Sequence, residues 1–111
     1  MWWFIALFVL FSCESKKEEV VNVKELFRIR GCTDCHDTRR FLVGPSFLEV
    51  AERYRRVKDA EEKLIRSIRE GSCNKWKGRY ECMPPQRLEE EEARAMAKWI
   101  LNFTSTPQNR P

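Results

Sequence analysis

An all-α domain is what this 111-residue sequence predicts, and two observations carry the expectation. Apolar residues recur at spacings of three and four in four separate stretches, while no stretch alternates apolar and polar residues with turn signals in the manner of a half-buried strand. Gly and Pro stand at the borders of those stretches and not inside them.

The first expected helix, Val23 to Arg30, is short, sets Leu26, Phe27 and Ile29 in its apolar part and is stopped by Gly31. The second, Ser46 to Arg55, is entered from Gly44-Pro45 and carries Phe47, Val50, Ala51 and Tyr54 at i, i+3, i+4 and i+7. The third runs from about Asp59, the expected N-cap, to Glu70 before Gly71, with Leu64, Ile65 and Ile68 as a narrow inward stripe. The fourth, Glu89 to Phe103, opens on four glutamates, each favoured by the helix dipole by about 0.3 to 1 kcal/mol before mutual repulsion. Ala93, Met96, Ala97, Ile100, Leu101 and Phe103 form its apolar face, flanked by Trp99. Thr104 to Pro111 reads as a frayed tail, and Ser72 to Leu88 as a loop of about seventeen residues, a length that usually carries function.

Composition bounds the function. A chain of 13.3 kDa has room for one small domain with a modest core, which a large prosthetic group would help to fold. Its 21 Lys and Arg against 17 Asp and Glu leave only +4, in mixed-sign runs. That is the pattern of a solvated surface; nucleic-acid binding calls for a basic face with stacking aromatics.

Met1 to Ser12 carries no charged side chain and is apolar almost throughout from Trp2 to Phe11. That is half of what a bilayer span needs, about twenty residues, and suits the apolar region of a signal peptide. Leu10-Phe11-Ser12-Cys13 resembles a bacterial lipobox, in which Cys13 would be lipidated and become the mature N-terminus. Phe11 is bulkier than the pattern prefers, and no Lys or Arg precedes the apolar run. The competing reading is a buried apolar N-terminal element, against which stand the paired Trp residues and the abrupt change to Glu14-Ser15-Lys16-Lys17-Glu18-Glu19. Glu14 to Asn22 would then be a polar tether reaching about 30 Å, at roughly 3.3 Å per residue, and the domain from residue 23 to 103 would sit on the exported, oxidising side of a bacterial membrane.

Cys32-Thr33-Asp34-Cys35-His36 is the motif with the most chemistry. A C-x-x-C-H pentapeptide attaches a c-type haem: two thiols bond to one edge of the porphyrin and the next imidazole reaches the iron. A bare CxxC also fits a redox dithiol or half of a zinc site, and those readings stay open on the motif alone. His36 is the single histidine, so two histidines of one subunit cannot both ligate the iron; methionine is the next common ligand. Met1 leaves with the leader, and Met96 lies on the apolar face of the last helix. Met83, followed by Pro84 and Pro85, remains; an ordinary Pro-rich turn is the plain alternative.

Gly31 to His36, Val43-Gly44-Pro45-Ser46-Phe47, Gly71-Ser72 with Trp76, Met83-Pro84-Pro85 and Ala97-Lys98-Trp99-Ile100-Leu101 together resemble the small monohaem class I cytochromes c of bacterial periplasms. The likeness runs in order from about Val23 to Phe103. It implies about four helices wrapped around one covalently bound haem c, with Cys32 and Cys35 as attachment points and His36 and Met83 as axial ligands. By the same likeness the Pro45 carbonyl accepts a hydrogen bond from His36, Trp76 lies near a haem propionate, and Phe27 meets Trp99 where the first and last helices cross.

Two features depart from that pattern. Glu89 stands where many relatives have a Ser or Thr cap. Cys73 and Cys82 flank the ligand loop and are the two cysteines left over once Cys13 takes lipid and Cys32 and Cys35 take haem. A Cys73–Cys82 disulfide would close a loop of about ten residues, stabilising it by about 2.7 kcal/mol on the chain-entropy relation, and would clip Met83 in place. Two merely buried thiols are the alternative.

The expected function is one-electron transfer in a respiratory chain, with no small-molecule substrate and no nucleic acid, between redox partner proteins such as a membrane reductase and a terminal oxidase. Lys75, Lys77, Arg79, Arg39 and Arg40 either steer docking to an acidic partner or form ordinary solvated surface. Two other classes stand against the carrier. One is a zinc module of Cys32, Cys35, Cys73 and Cys82, whose second pair is too widely spaced for a ribbon and which leaves Met-Pro-Pro unexplained. The other is a haem sensor or peroxidase whose Met83 departs.

Overall fold

The computed structural model describes residues 22–76 and 82–104. The leader, Cys13, nearly all of the tether, Lys77, Arg79 and the tail beyond Thr104 lie outside the described residues. Within them are four α-helices, α1 (Val23–Ile29), α2 (Phe47–Tyr54), α3 (Ala60–Glu70) and α4 (Glu90–Leu101). A 3-10 turn over Cys32–Asp34 follows α1, and a two-stranded antiparallel ladder pairs β1 (Ser72–Cys73) with β2 (Cys82–Met83). The ladder lies inside the stretch where only a loop was expected; two residues per strand are too few to leave a periodicity in the sequence.

Local chemistry fixes the helix ends. Asn22 caps α1 by accepting from the Glu25 N–H at 3.3 Å. Ser46 and Glu49 form a reciprocal capping box on α2, with Ser46 Oγ accepting from the Glu49 N–H at 3.0 Å and Glu49 Oε1 accepting from the Ser46 N–H at 3.2 Å. Asp59 stands at the expected N-cap of α3 yet makes no capping bond, because its backbone is left-handed at φ 58°. A short polar side chain tolerates that region. At α4 the Glu92 carboxylate reaches back to the Glu89 N–H at 3.2 Å, so a glutamate three residues into the helix serves where Ser or Thr was missing from the cap.

α4 is the packing centre: α1, α2 and α3 all lie against it. Ala51 of α2 and Ala93 and Ala97 of α4 are fully buried, and such small side chains let helices approach closely. Met96, Ile100 and Phe103 fill the rest of the inward face, against Leu64, Ile65 and Ile68 of α3 and Leu26 and Phe27 of α1. Trp99 and Leu101, at the edge of the stripe, are half-buried. On the outside, Arg94 joins α4 to α3 through Glu61 at 2.8 Å and Glu62 at 2.6 Å, and Arg30 joins the end of α1 to Glu92 at 3.1 Å.

Candidate haem site

The cysteine motif is shaped by its own backbone. The Cys35 N–H donates to the Cys32 carbonyl at 3.2 Å, closing the 3-10 turn, the His36 N–H donates to the same carbonyl at 2.8 Å, and the Cys35 carbonyl then accepts from the N–H groups of Val43 at 3.2 Å and Gly44 at 2.8 Å. The intervening loop is thereby folded back over the motif. Asp37 secures its near end, accepting from the Arg39 and Arg40 N–H groups at 3.0 and 2.9 Å, which holds its carboxyl below the usual range. The far end runs into α2, whose Phe47 and Leu48 N–H groups donate to the Asp37 and Thr38 carbonyls at 2.9 and 3.0 Å.

This folding places His36. Its Nδ1 lies 2.6 Å from the Pro45 carbonyl oxygen, so Nδ1–H donates there and Nε2 keeps its lone pair for a metal. Gly44 lies close beside the ring: a β-carbon there would stand 2.8 Å from Cε1. Phe47 stacks on the imidazole with centroids 5.7 Å apart, and it also meets Phe27 at 4.6 Å and Trp99 at 5.6 Å. Phe27 and Trp99 touch edge to face at 5.4 Å, as expected at the crossing of the first and last helices. The Cys32 thiol is half-buried, and burial pushes its pKa up; Cys35 is exposed.

A cleft opens in front of His36. Its apolar part, about 640 Å³ including the mouth, is walled by Phe27, Phe47, Val50, Leu64, Ile68 and Ile100, with Trp76 and Lys75 at one end. A second part, about 600 Å³, is bounded by Cys35, Val43, Gly44 and Pro84. Cys32, His36 and Met83 line both parts, whereas Met96 lines only the inner one, where it is fully buried in the core. A flat macrocycle bonded through Cys32 and Cys35 fits this arrangement: apolar walls for the ring, an imidazole with a free nitrogen, and a thioether on the shared boundary.

Met83 is carried by β2, paired with Ser72 across the ladder, and Cys82 is paired with Cys73. The two sulfurs of that cysteine pair stand 2.12 Å apart. Gly71, at φ 82°, lets the strand pass close: a β-carbon there would lie 2.7 Å from the Met83 carbonyl oxygen. Trp76 is held by the Arg53 guanidinium, 4.4 Å above its ring, and Arg53 also donates to the Lys75 carbonyl. Lys75 Nζ donates to Ser67 Oγ at 2.8 Å and Arg39 lies over the Phe103 ring at 5.7 Å, so two of the five cations considered for docking are engaged within the chain. The described residues contain no cluster of three or more His, Cys, Asp or Glu side chains suited to a metal ion, so the four cysteines of the zinc alternative are not gathered as such a site.

The family model for cytochrome c matches residues 20–104. The chain belongs to the cytochrome c family. Among curated proteins it is 38% identical over 80 residues to cytochrome c-552 of Hydrogenobacter thermophilus, covering 72% of this chain and 80% of that one. It is equally 38% identical over 80 residues to cytochrome c-551 of Pseudomonas denitrificans, covering 72% and 95%. Among solved structures, cytochrome c552 of Nitrosomonas europaea superposes with a TM-score of 0.66 at 32% identity, covering 70% of this chain and 95% of that one. The class 1 cytochrome MtoD of Sideroxydans lithotrophicus gives 0.60 at 31% identity, covering 71% and 89%. This cytochrome therefore has the class I fold, binds one covalently attached haem c, and transfers electrons to and from redox partner proteins; it is not an enzyme.

The structure brings His36 to the Pro45 carbonyl, Phe27 to Trp99 and Met83 to the cleft, as the sequence led one to expect, and adds three supports that sequence reasoning missed. Phe47, legible as a helix position and as the end of the Val43–Phe47 motif, also packs on the His36 ring. Gly44 was quoted in a motif without a role; its signal was a glycine directly before the proline that receives the imidazole. Arg53, on the polar side of α2, gave no sign in the sequence of reaching Trp76.

Proposed function

We propose that this cytochrome is a one-electron carrier of a respiratory chain in which Cys32 and Cys35 attach the haem, and His36 and Met83 are its axial ligands. The observation that carries the reading is that Cys32, His36 and Met83 are the residues shared by the two parts of the cleft, with Met83 the one methionine among them. When bound, haem supplies reversible one-electron oxidation of its iron. The chain's part is orientation and exclusion of water. Pro45 and Gly44 set the angle of the imidazole, Phe47 backs it, and the walls from α1, α2, α3 and α4 keep the cleft apolar. An apolar pocket with a fixed ligand pair favours electron transfer, because little has to rearrange between oxidation states.

Further parts of the proposal are a lipid on Cys13, a tether over residues 13–22 and residence on the periplasmic side of a bacterial membrane. They are supported by the lipobox-like leader and by the use of five cysteines as one lipid site, two haem bonds and one disulfide between Cys73 and Cys82. No helix among the described residues is long and apolar enough to cross a membrane. Pro45 and Trp76 are assigned to the immediate surroundings of the haem, the first on the imidazole and the second beside a propionate.

An optical spectrum tests the ligand pair. The ferric protein should show the weak far-red band of a Met-to-iron bond, and Met83→Ala should abolish it while haem stays covalently attached. A band that survives in Met83→Ala refutes the assignment. Mass spectrometry of the membrane fraction tests the tether: cleavage before Cys13 with added acyl mass supports it, and an intact leader removes it.

A further inference from the structure

The two sides of Met83 are held by different means. Downstream, the Gln86 N–H donates to the Ile68 carbonyl at 3.0 Å, Arg69 Nε donates to the Leu88 carbonyl at 3.2 Å, and Leu88 is buried in the core. Upstream, the chain is held by a ladder of two residues per strand and by the sulfur pair Cys73 and Cys82. A two-residue ladder contributes little on its own in water, so among the described residues the sulfur bridge is the covalent restraint that ties Met83 to the Lys75–Trp76 segment held by Ser67 and Arg53. Both cysteines are exposed. Exposed disulfides are the ones open to thiol exchange, whereas buried structural ones resist it.

We propose that Cys73 and Cys82 form a thiol-exchange site, a substrate for a dithiol such as an exported dithiol oxidoreductase, whose oxidation state sets how readily Met83 leaves the iron. This rests on Met83 being the sixth ligand. The exchange balances without the haem. A thiolate of the dithiol attacks one sulfur of the pair and displaces the other, and its second thiol then resolves the mixed disulfide. The cytochrome gains two thiols, while the partner loses two electrons and two protons and becomes a disulfide. The downstream anchors persist in both states, so Met83 stays the resting ligand and what changes is the frequency of its departure. Releasing a cross-link around a loop of about ten residues raises the open population by up to about a hundredfold.

Carbon monoxide binding to the ferrous holoprotein reads this directly, since the gas binds only when the sixth position is vacated. One anaerobic sample is reduced with ascorbate, which leaves disulfides intact, and a second with millimolar dithiothreitol; alkylation and mass measurement count thiols in each. The dithiothreitol sample should take up two alkyl groups and bind carbon monoxide faster by roughly tenfold or more. The double variant Cys73→Ser, Cys82→Ser should bind at the fast rate without dithiothreitol. Equal rates despite two alkyl groups, no alkylation under native conditions, or a slow double variant overturn the proposal. If the disulfide-intact protein already binds carbon monoxide fast and its ferric form lacks the far-red band, the Met83 assignment falls and this inference with it. A far-red band with equal rates sinks the inference alone.

Discussion

The imidazole of His36 rests on the bare α-carbon of Gly44, so closely that an added β-carbon would lie 2.8 Å from Cε1 and 3.1 Å from Nδ1. Gly44→Ala must therefore push the ring away from the Pro45 carbonyl or displace the loop. Overpacking of this kind costs about 1 to 3 kcal/mol. Thermal unfolding of the holoprotein should show that loss, together with a changed far-red band; a variant indistinguishable from the wild type in both would refute the close packing.

Phe47 joins the ligand ring to the crossing of α1 and α4, touching His36, Phe27 and Trp99. Phe47→Ala should lower stability by about 3 to 5 kcal/mol through the cavity it leaves, while Phe47→Leu, which nearly conserves volume, should lose less than about 1.5 kcal/mol. Denaturant titration of both variants checks the ratio. Similar losses for the two would mean that the site collapses around the gap.

Acid should weaken the clamps of α4. Hydrogen bonds from Arg30 and Arg94 hold the Glu92 and Glu62 carboxyls below their ordinary 4.5. A carboxyl depressed on folding contributes stability that is present above its unfolded value and is lost as pH falls through its folded value. Helical circular dichroism at fixed denaturant should thus fall as pH drops below about 4.5, and less steeply in a Glu62→Gln, Glu92→Gln double variant. Parallel curves for variant and wild type would show that these pairs do not govern the acid limb.

Arg53 covers the Trp76 ring at 4.4 Å and donates to the neighbouring Lys75 carbonyl. Arg53→Met keeps the length of the side chain but removes its charge and donors. The expected loss is about 0.5 to 1 kcal/mol for an exposed stacked cation, with a shift in midpoint potential if Trp76 borders the haem. An unchanged potential would place Trp76 away from the propionates.

Elements that satisfy themselves locally were the legible ones. Amphipathic spacing located α2, α3 and α4 within a residue or two, because each buries one stripe of its own sequence. The turn from Cys32 to His36 was legible for the same reason: five consecutive residues carry both thiols and the imidazole. Contacts that depend on where two distant segments meet were less so. The β1–β2 ladder, the seat of Gly71 under Met83 and the reach of Arg53 to Trp76 need the fold first. Asp59 shows the limit of capping logic, since the residue is right for the position but the left-handed backbone turns its side chain from the helix end.

His36 and Met83 also differ in how they come to the cleft. His36 follows directly on Cys35 and needs one tight turn to reach the cleft. Met83 is brought to the cleft by β2, through its pairing with Ser72 across the ladder. The Met83 thioether thus takes its position from the β1–β2 ladder, and the His36 imidazole from its own turn.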